Sequence, residues 1–231
     1  MDFDNFDIHA DKYEDTLNKS LEFTGADGSY FAERKIQSLH NFYKDNRLDY
    51  PQNILEFGCG TGNNLDQCSL YFKNSLLHGI DISSKSTDIT RERNICNCIV
   101  KHCNINEIPY NDWYFDLVII SNVFHHINYE LHEKTLSLIR SKIKKGGIIA
   151  IFEHNPINPF TIKFVKDCPL DIDVRLLKHT YTKTILQSLG FKILSTRFIT
   201  FLPPFFARFN YIENYLTRIA LGAQYGVFAI K

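Results

Sequence analysis

Residues 53–57, Asn-Ile-Leu-Glu-Phe, form a short apolar run that breaks into Gly58-Cys59-Gly60-Thr61-Gly62, and a helix-like stretch follows from Asn63. A strand that turns into a helix within a few residues needs positive φ or missing side chains, which glycine supplies. Bare backbone at such a turn also lets a ligand pack against the main chain. The alternation continues downstream: residues 76–82, 98–103, 115–121 and 147–152 read as strands, and 63–72, 84–94 and 129–143 as helices. Ser83 or Ser84 can cap the second of these helices. Lys144-Lys145-Gly146-Gly147 stops the third. Residues 115–121, Phe-Asp-Leu-Val-Ile-Ile-Ser, are apolar on both faces, as a central parallel strand should be. Strand–helix alternation predicts a parallel sheet with helices on both faces, joined by right-handed crossovers.

After Glu153 the rhythm changes. Asn155-Pro156 and Asn158-Pro159 mark turns, residues 161–166 read as a short helix, and 182–189 as a helix closed by Gly190. Residues 191–199 and 224–230 read as two last strands, a hairpin-like pair with 201–222 inserted between them. The first 50 residues read as polar and helical, with 30–46 the best amphipathic stretch, up to Pro51. The expected architecture is α/β: a doubly wound, mostly parallel seven-stranded sheet, an antiparallel last strand, a helical cap over 1–50, and a main domain over 51–231. Insertions at about 155–180 and 201–221 are expected in that domain, the first acting as a lid.

At 231 residues the chain suits one large α/β domain. Lys plus Arg and Asp plus Glu both number 26, so no strongly basic footprint for nucleic acid is implied. The acidic N-terminal stretch lacks the apolar core of a secretory signal, and no uninterrupted apolar run reaches the ~18 residues of a membrane span. A cytoplasmic location is the expectation. Six cysteines (59, 68, 96, 98, 103 and 168) contain no CxxC pair and no disulfide framework. Cys96-x-Cys98-x4-Cys103 lacks a partner pair to complete a tetrahedral shell, so no metal is expected.

The glycine turn itself narrows the ligand. A dinucleotide-binding turn requires GxGxxG, with pyrophosphate at the helix N-terminus. Here the third glycine comes one residue early, and Glu56 puts a carboxylate just before the turn. That charge would repel a phosphate and suits an amine-bearing or cationic ligand. Asp81 ends the second strand, where a carboxylate can accept both hydroxyls of a ribose. Its plainer role is to cap the helix that follows.

Taken together, residues 54–64 (ILEFGCGTGNN), 78–83 (HGIDIS), 115–127 (FDLVIISNVFHHI) and 143–155 (IKKGGIIAIFEHN) resemble the class I, S-adenosylmethionine-dependent methyltransferases of small-molecule type. The resemblance covers roughly half of the chain. It implies S-adenosyl-L-methionine as cofactor and S-adenosyl-L-homocysteine as product. It implies that Glu56, Gly58, Cys59, Gly60, Gly62 and Asn63 surround the methionine part and that Asp81 binds the ribose. Ile82 then packs on adenine, and Asn104 with Ile105 stands where the family often has an acid near the adenine amine. The backbone of Ser121, Asn122 and Val123, after the fourth strand, then lies near the methionine and the sulfonium. Tyr13 and Tyr30, with Phe31, resemble aromatic residues that close over the cofactor; ordinary helix packing explains them equally well.

Methyl transfer needs an oriented acceptor and excluded water. A general base helps where the acceptor is a hydroxyl or an ammonium. His126 follows the fourth strand, and Glu153 and His154 follow the fifth. A histidine titrates near neutrality and can take the proton, whereas Glu153 can instead serve a polar substrate; structural hydrogen bonding is the plainer role for all three. Asp171, Asp173 and Arg175 lie in the insertion after the fifth strand. Residues 201–211 carry five aromatics and one arginine, a candidate acceptor pocket, membrane-surface contact or homodimer face, with plain core packing as the simpler reading. The expected activity is O- or N-methylation of a small molecule, sugar or lipid head group, with a catalytically inactive cofactor-binding module or an NAD-dependent oxidoreductase as alternatives.

Overall fold

The computed structural model describes residues 27–104, 106–168, 174–202, 213 and 215–231. Helix α1 (Gly28–Asp45) starts where the Asp27 side chain accepts a hydrogen bond from the Tyr30 amide at 2.9 Å. This is an N-cap that satisfies an otherwise unpaired first-turn donor. Its inward positions Ala32, Ile36, Leu39, Phe42 and Tyr43 recur at helical spacing and are buried. The helix is therefore part of the core, with Phe42 4.7 Å from Phe228 between ring centroids.

Seven strands follow: β1 (Asn53–Phe57), β2 (Leu76–Asp81), β3 (Cys98–His102), β4 (Phe115–Ser121), β5 (Ile143–His154), β6 (Lys192–Ile199) and β7 (Gln224–Ile230). They pair in the order β3-β2-β1-β4-β5-β7-β6. All neighbours are parallel except β7, which runs antiparallel to both β5 and β6. The connecting helices are α2 (Asn63–Tyr71), α3 (Ser84–Glu92), α4 (Tyr129–Lys142), α5 (Pro159–Asp167) and α6 (His179–Ser188). The expected seven-stranded sheet is present, and the late strands form the expected antiparallel pair.

The strands sort their side chains by alternation, as the pleat requires. Ile54, Leu117, Ile119, Ala150, Phe152 and Phe228 pack with α1 and α2 on one face. Leu55, Phe57, Val118, Ile120, Ile149, Ile151 and Val227 build the other core. The chain winds outward from β1 to β3 and returns as β4 on the other side of β1. The carboxyl ends of β1 and β4 therefore flank the switch point at which open α/β sheets bind ligands.

Most boundaries shift by one to three residues, and the start of β5 by four. Residues 144–147 are not a turn closing a helix: α4 ends at Lys142, and Ile143 already pairs with Phe115. Ile143 is fully buried, and the ladder slips between Phe115 and Leu117 before it resumes. Gly146, at φ +79°, takes up that irregularity.

At the carboxyl rim, α1 is tied to the segment between β6 and β7. Arg34 Nη2 and Glu213 Oε2 stand 2.5 Å apart and are both buried. Glu213 Oε1 accepts from the amides of Phe201 and Leu202, each at 2.9 Å. The Tyr30 hydroxyl donates to the Leu202 carbonyl at 3.1 Å. Among the described residues no helix is long and apolar enough to cross a membrane.

Candidate functional site

The glycine turn is a loop that only glycine adopts freely, held from below. Gly58, Gly60 and Gly62 have φ of +75°, +51° and +86°, which L side chains rarely adopt. The amides of Gly58 and Cys59 both donate to the Ile80 carbonyl, at 2.8 and 3.0 Å. A Cβ on Gly58 would stand 2.5 Å from Val123 Cγ2, and one on Gly62 2.6 Å from Thr90 Cγ2. A Cβ on Gly60 would meet nothing within 4 Å, so this part of the turn borders open space.

Asp81 joins that turn to β2. Its Oδ2 accepts from the Gly60 amide at 2.8 Å and its Oδ1 from the Ser83 amide at 2.9 Å. Burial raises the pKa of this carboxyl, and the Ser83, Gly60 and Ile82 amides pull against that rise. The two bonds fix the carboxylate at the end of β2. Each oxygen keeps a further lone pair for a ligand hydroxyl. The helix cap of α3 is supplied by Ser83, whose hydroxyl accepts from the Ser86 amide.

Glu56 and Lys35 are both buried on the α1 side of the sheet. Glu56 is 1% exposed; its Oε1 accepts from Asn64 Nδ2 at 2.6 Å, and its Oε2 has no hydrogen-bond partner. Burial pushes its carboxyl up to about 8, against the Asn64 bond and the Lys35 charge. Lys35 is equally buried, and its Nζ donates to Ser121 Oγ at 2.7 Å. Burial pulls its ammonium down to about 8, opposed by the charges of Glu56 and Glu153. Next to Ser121, Asn122 sits at φ +55° with its Oδ1 buried and unpartnered.

The rim of β4 and β5 carries three histidines around one carboxylate. Glu153 Oε2 stands 2.5 Å from His125 Nδ1, and Oε1 accepts from the Phe124 amide at 2.9 Å. Burial would raise the Glu153 pKa, but the His125 and His154 charges and these hydrogen bonds hold it below the usual range. With both oxygens engaged and no exposed surface, Glu153 is not placed to receive a substrate proton; it orients His125. The His126 ring lies 4.2 Å from that of His125, and the His154 ring 5.4 Å from it. His126 is half-buried and His154 buried.

The remaining expected positions divide. The Asn63 side chain accepts from Arg93 Nη2 at 2.9 Å, which commits it to the end of α3. Cys59 is buried beside Gly79 beneath the turn, so it reaches the crevice through its backbone. Ile82 is half-buried, with its carbonyl bonded to His102 Nε2 at 3.0 Å. Asn104 is exposed at the end of β3. Tyr30 is anchored to Leu202, and its ring meets Phe31 edge-on at 5.7 Å. Arg175 lies 4.4 Å over the Tyr129 ring. Tyr13, Ile105, Asp171 and Asp173, and 203–211 of the aromatic stretch, lie outside the described residues. Among the described residues no cluster of His, Cys, Asp or Glu is arranged to hold a metal.

Sequence reasoning gave no role to Lys35 and Asn64, and it did not pair His125 with Glu153. Lys35 left a signal: it falls on the stripe of Ala32, Ile36, Leu39 and Phe42, where a charge is out of place.

Residues 54–147 match the model of a family described as a methyltransferase domain. An uncharacterised methyltransferase of Anoxybacillus flavithermus is 26% identical over 105 residues, which are 46% of this chain and 48% of that protein. The chain spans 48% and 64% of the lengths of the curated relatives it matches. A Thermotoga maritima structure, described as an S-adenosylmethionine-dependent methyltransferase and possible histamine N-methyltransferase, superposes with a TM-score of 0.69 at 15% identity, covering 98% of both chains. Haemonchus contortus phosphoethanolamine N-methyltransferase 2, in complex with S-adenosyl-L-methionine, superposes with a TM-score of 0.64 at 18% identity, covering 98% of this chain and 60% of that one.

Proposed function

We propose that this chain is a class I, S-adenosylmethionine-dependent methyltransferase, in keeping with the methyltransferase domain that residues 54–147 match, and that it methylates an amine or hydroxyl of a small polar acceptor: a metabolite, sugar or lipid head group. The observation that carries this reading is the Gly60–Asp81 bond at the switch point. It sets a carboxylate for ribose beside a turn that borders open space at Gly60. The unpartnered Glu56 Oε2 adds a preference for an amine and against a phosphate. Residues present thus fit the methionine and ribose parts of S-adenosylmethionine, which supplies an already activated methyl carbon when bound.

The chain's own work is then orientation, exclusion of water and proton removal. Asp81 fixes the nucleoside, and the turn and Ser121 border the methionine end. Val123 closes the floor of the turn. Glu153 holds His125, and His126 and His154, packed around that ring, are the candidates to take a proton from the acceptor. Two structural relatives are named for amine substrates, which agrees with an amine acceptor here.

The test is calorimetric titration with S-adenosylmethionine, S-adenosylhomocysteine and NAD, followed by a mass-spectrometric screen of amine, sugar and lipid-head-group acceptors for the gain of one CH2. Binding of the two sulfur nucleosides and a methylated product are expected. Binding of NAD alone would reject the reading, and bound methyl donor without turnover on any acceptor would favour an inactive cofactor-binding module.

A further inference from the structure

A cavity of about 600 Å³ opens at the outer edge of the sheet, between the last turns of α1, the edge strand β6 and residues 215–218. Its volume is that of a small-molecule site. Strands β4, β5 and β7 separate β6 from β1 and its glycine turn. The cavity is therefore no part of the crevice at the switch point.

Three cations, Lys44, Arg197 and Arg218, line it against one carboxylate, Asp45. Arg197 Nη2 and Asp45 Oδ2 stand 2.7 Å apart, and the guanidinium carbon lies 5.8 Å from the Phe42 ring centroid. Arg197 is thus held in place by charge and by packing. Lys44 and Arg218 form no ion pair among the described residues. Like charges on one cavity repel each other, and a bound anion reverses that repulsion. The sheet edge adds a neutral donor. The Phe198 amide points outward from the edge and donates to the Thr217 carbonyl at 2.7 Å. Amides alternate in direction along an antiparallel strand, so the amide of Thr196, two residues earlier, also points outward, on the side of the cavity that Thr196 lines. Tyr215, on the same lining, is 83% exposed and offers an uncovered ring.

We infer that this cleft binds a nucleoside diphosphate. Its pyrophosphate is held by Arg197, Arg218, Lys44 and the Thr196 amide, and its base stacks on Tyr215. Guanidinium forks match phosphate oxygens in geometry as well as charge. An open aromatic ring takes any base, because every base has a π-face. The two features together separate a nucleotide from a bare anion, which has no use for the ring, and from a nucleoside, which has no use for the cations. The ligand occupies the sheet edge while the switch point keeps its own, so both are held at once.

Calorimetry on the full chain tests it with adenosine diphosphate, uridine diphosphate and inorganic pyrophosphate, each with and without excess S-adenosylhomocysteine. At least one nucleoside diphosphate is expected to bind, more tightly than pyrophosphate and with an affinity that S-adenosylhomocysteine leaves unchanged. Lys44→Ser combined with Arg218→Ser, both exposed positions, should weaken nucleotide and pyrophosphate alike by about 10- to 100-fold. Tyr215→Ala should weaken the nucleotide by about 5- to 10-fold and leave pyrophosphate as it was. An unaltered melting temperature reports that the variants are folded. Failure of both nucleoside diphosphates to bind overturns the assignment and needs no variant. Pyrophosphate binding as tightly as the nucleotides overturns it too, since the site is then one for a bare anion. Displacement of the nucleotide by S-adenosylhomocysteine would place it at the switch point instead, and a Lys44→Ser, Arg218→Ser protein that binds as the wild type does would remove it from this cleft. If S-adenosylhomocysteine itself does not bind, the methyl-donor reading falls, while the cleft stands or falls by the nucleotide and its variants.

Discussion

Glu153 and His125 face each other across 2.5 Å, and neither side chain reaches solvent. A buried pair of this kind is costly to break from one side, because the surviving partner keeps its desolvation penalty. Glu153→Ala should lower the unfolding free energy by about 3–5 kcal/mol, and Glu153→Gln by about 1–3 kcal/mol, read from urea denaturation at neutral pH. The sign with pH follows from the lowered pKa of Glu153. Its contribution is present above the unfolded carboxylate value near 4.5 and is lost as pH falls through the lower folded value. Glu153→Gln should therefore flatten that part of the acid limb; an unchanged limb would assign the acid sensitivity to other groups.

Asp81 is expected to separate sugar recognition from folding. Asp81→Asn drops the charge and keeps an acceptor for only one of the Gly60 and Ser83 amides, so its melting temperature is read beside its affinity. Affinity for S-adenosylhomocysteine should fall by about 10- to 100-fold. Equilibrium dialysis at constant salt gives this number, and a variant that binds as the wild type does would remove Asp81 from the ribose site.

Gly58 faces a steric wall as well as a backbone constraint. Gly58→Ala would bring a methyl group to 2.5 Å from Val123 Cγ2 at φ +75°, and should destabilise the fold by about 1–3 kcal/mol. Adding Val123→Ala removes the contact but not the backbone strain. The double variant should thus recover part of the loss and never all of it, as a thermal double-mutant cycle will show.

His78 predicts acid weakness of a different origin. It is 2% exposed, bonded through Nδ1 to the Tyr110 hydroxyl at 3.1 Å and ringed by Tyr110, Tyr114 and Phe115. Burial, with Lys101 adding to it, pulls the imidazole down to about 4 from its ordinary 6.5. Below pH 6.5 the unfolded chain takes up a proton that the folded one refuses, so stability drops as pH falls from 6.5 toward 4. His78→Asn, which can keep the bond to Tyr110, should lose this slope in a pH series of melting curves.

His126 and His154 are separable by kinetics. Removing the residue that serves as base should lower kcat/KM by roughly 10²- to 10⁴-fold and abolish the acid limb of its pH profile. Removing the other should leave that limb in place. Alanine variants of each, measured from pH 5.5 to 9 on the acceptor found by screening, decide which one acts.

Much of the fold was legible because period and punctuation agree. The strand at 115–121 is buried on both faces and was found at its true bounds, and β7 likewise, since continuous apolar runs leave a central strand few alternatives. The boundary at 143–147 was misplaced because Lys-Lys-Gly-Gly mimics a helix stop, and only tertiary pairing with Phe115 reveals Ile143 as strand. Of the candidate site, the proximity of Gly60 and Asp81 was legible because their spacing is local to one strand–turn–helix–strand unit. Lys35 lies 86 residues from the Ser121 it touches. His125 drew less notice than His126 for a similar reason: the partner that singles it out, Glu153, lies 28 residues away and meets it only across the folded rim.

Arg34 and Glu213 meet across 179 positions of sequence, and the same glutamate pins the amides of Phe201 and Leu202. The start of α1 and the residues Phe201, Leu202 and Glu213 are therefore joined through one buried carboxylate. Free energy released by a guest that steadies either part is shared by the other, so hydrogen exchange should slow at Phe201 and Leu202 whenever occupancy of the Lys35 side tightens the helix.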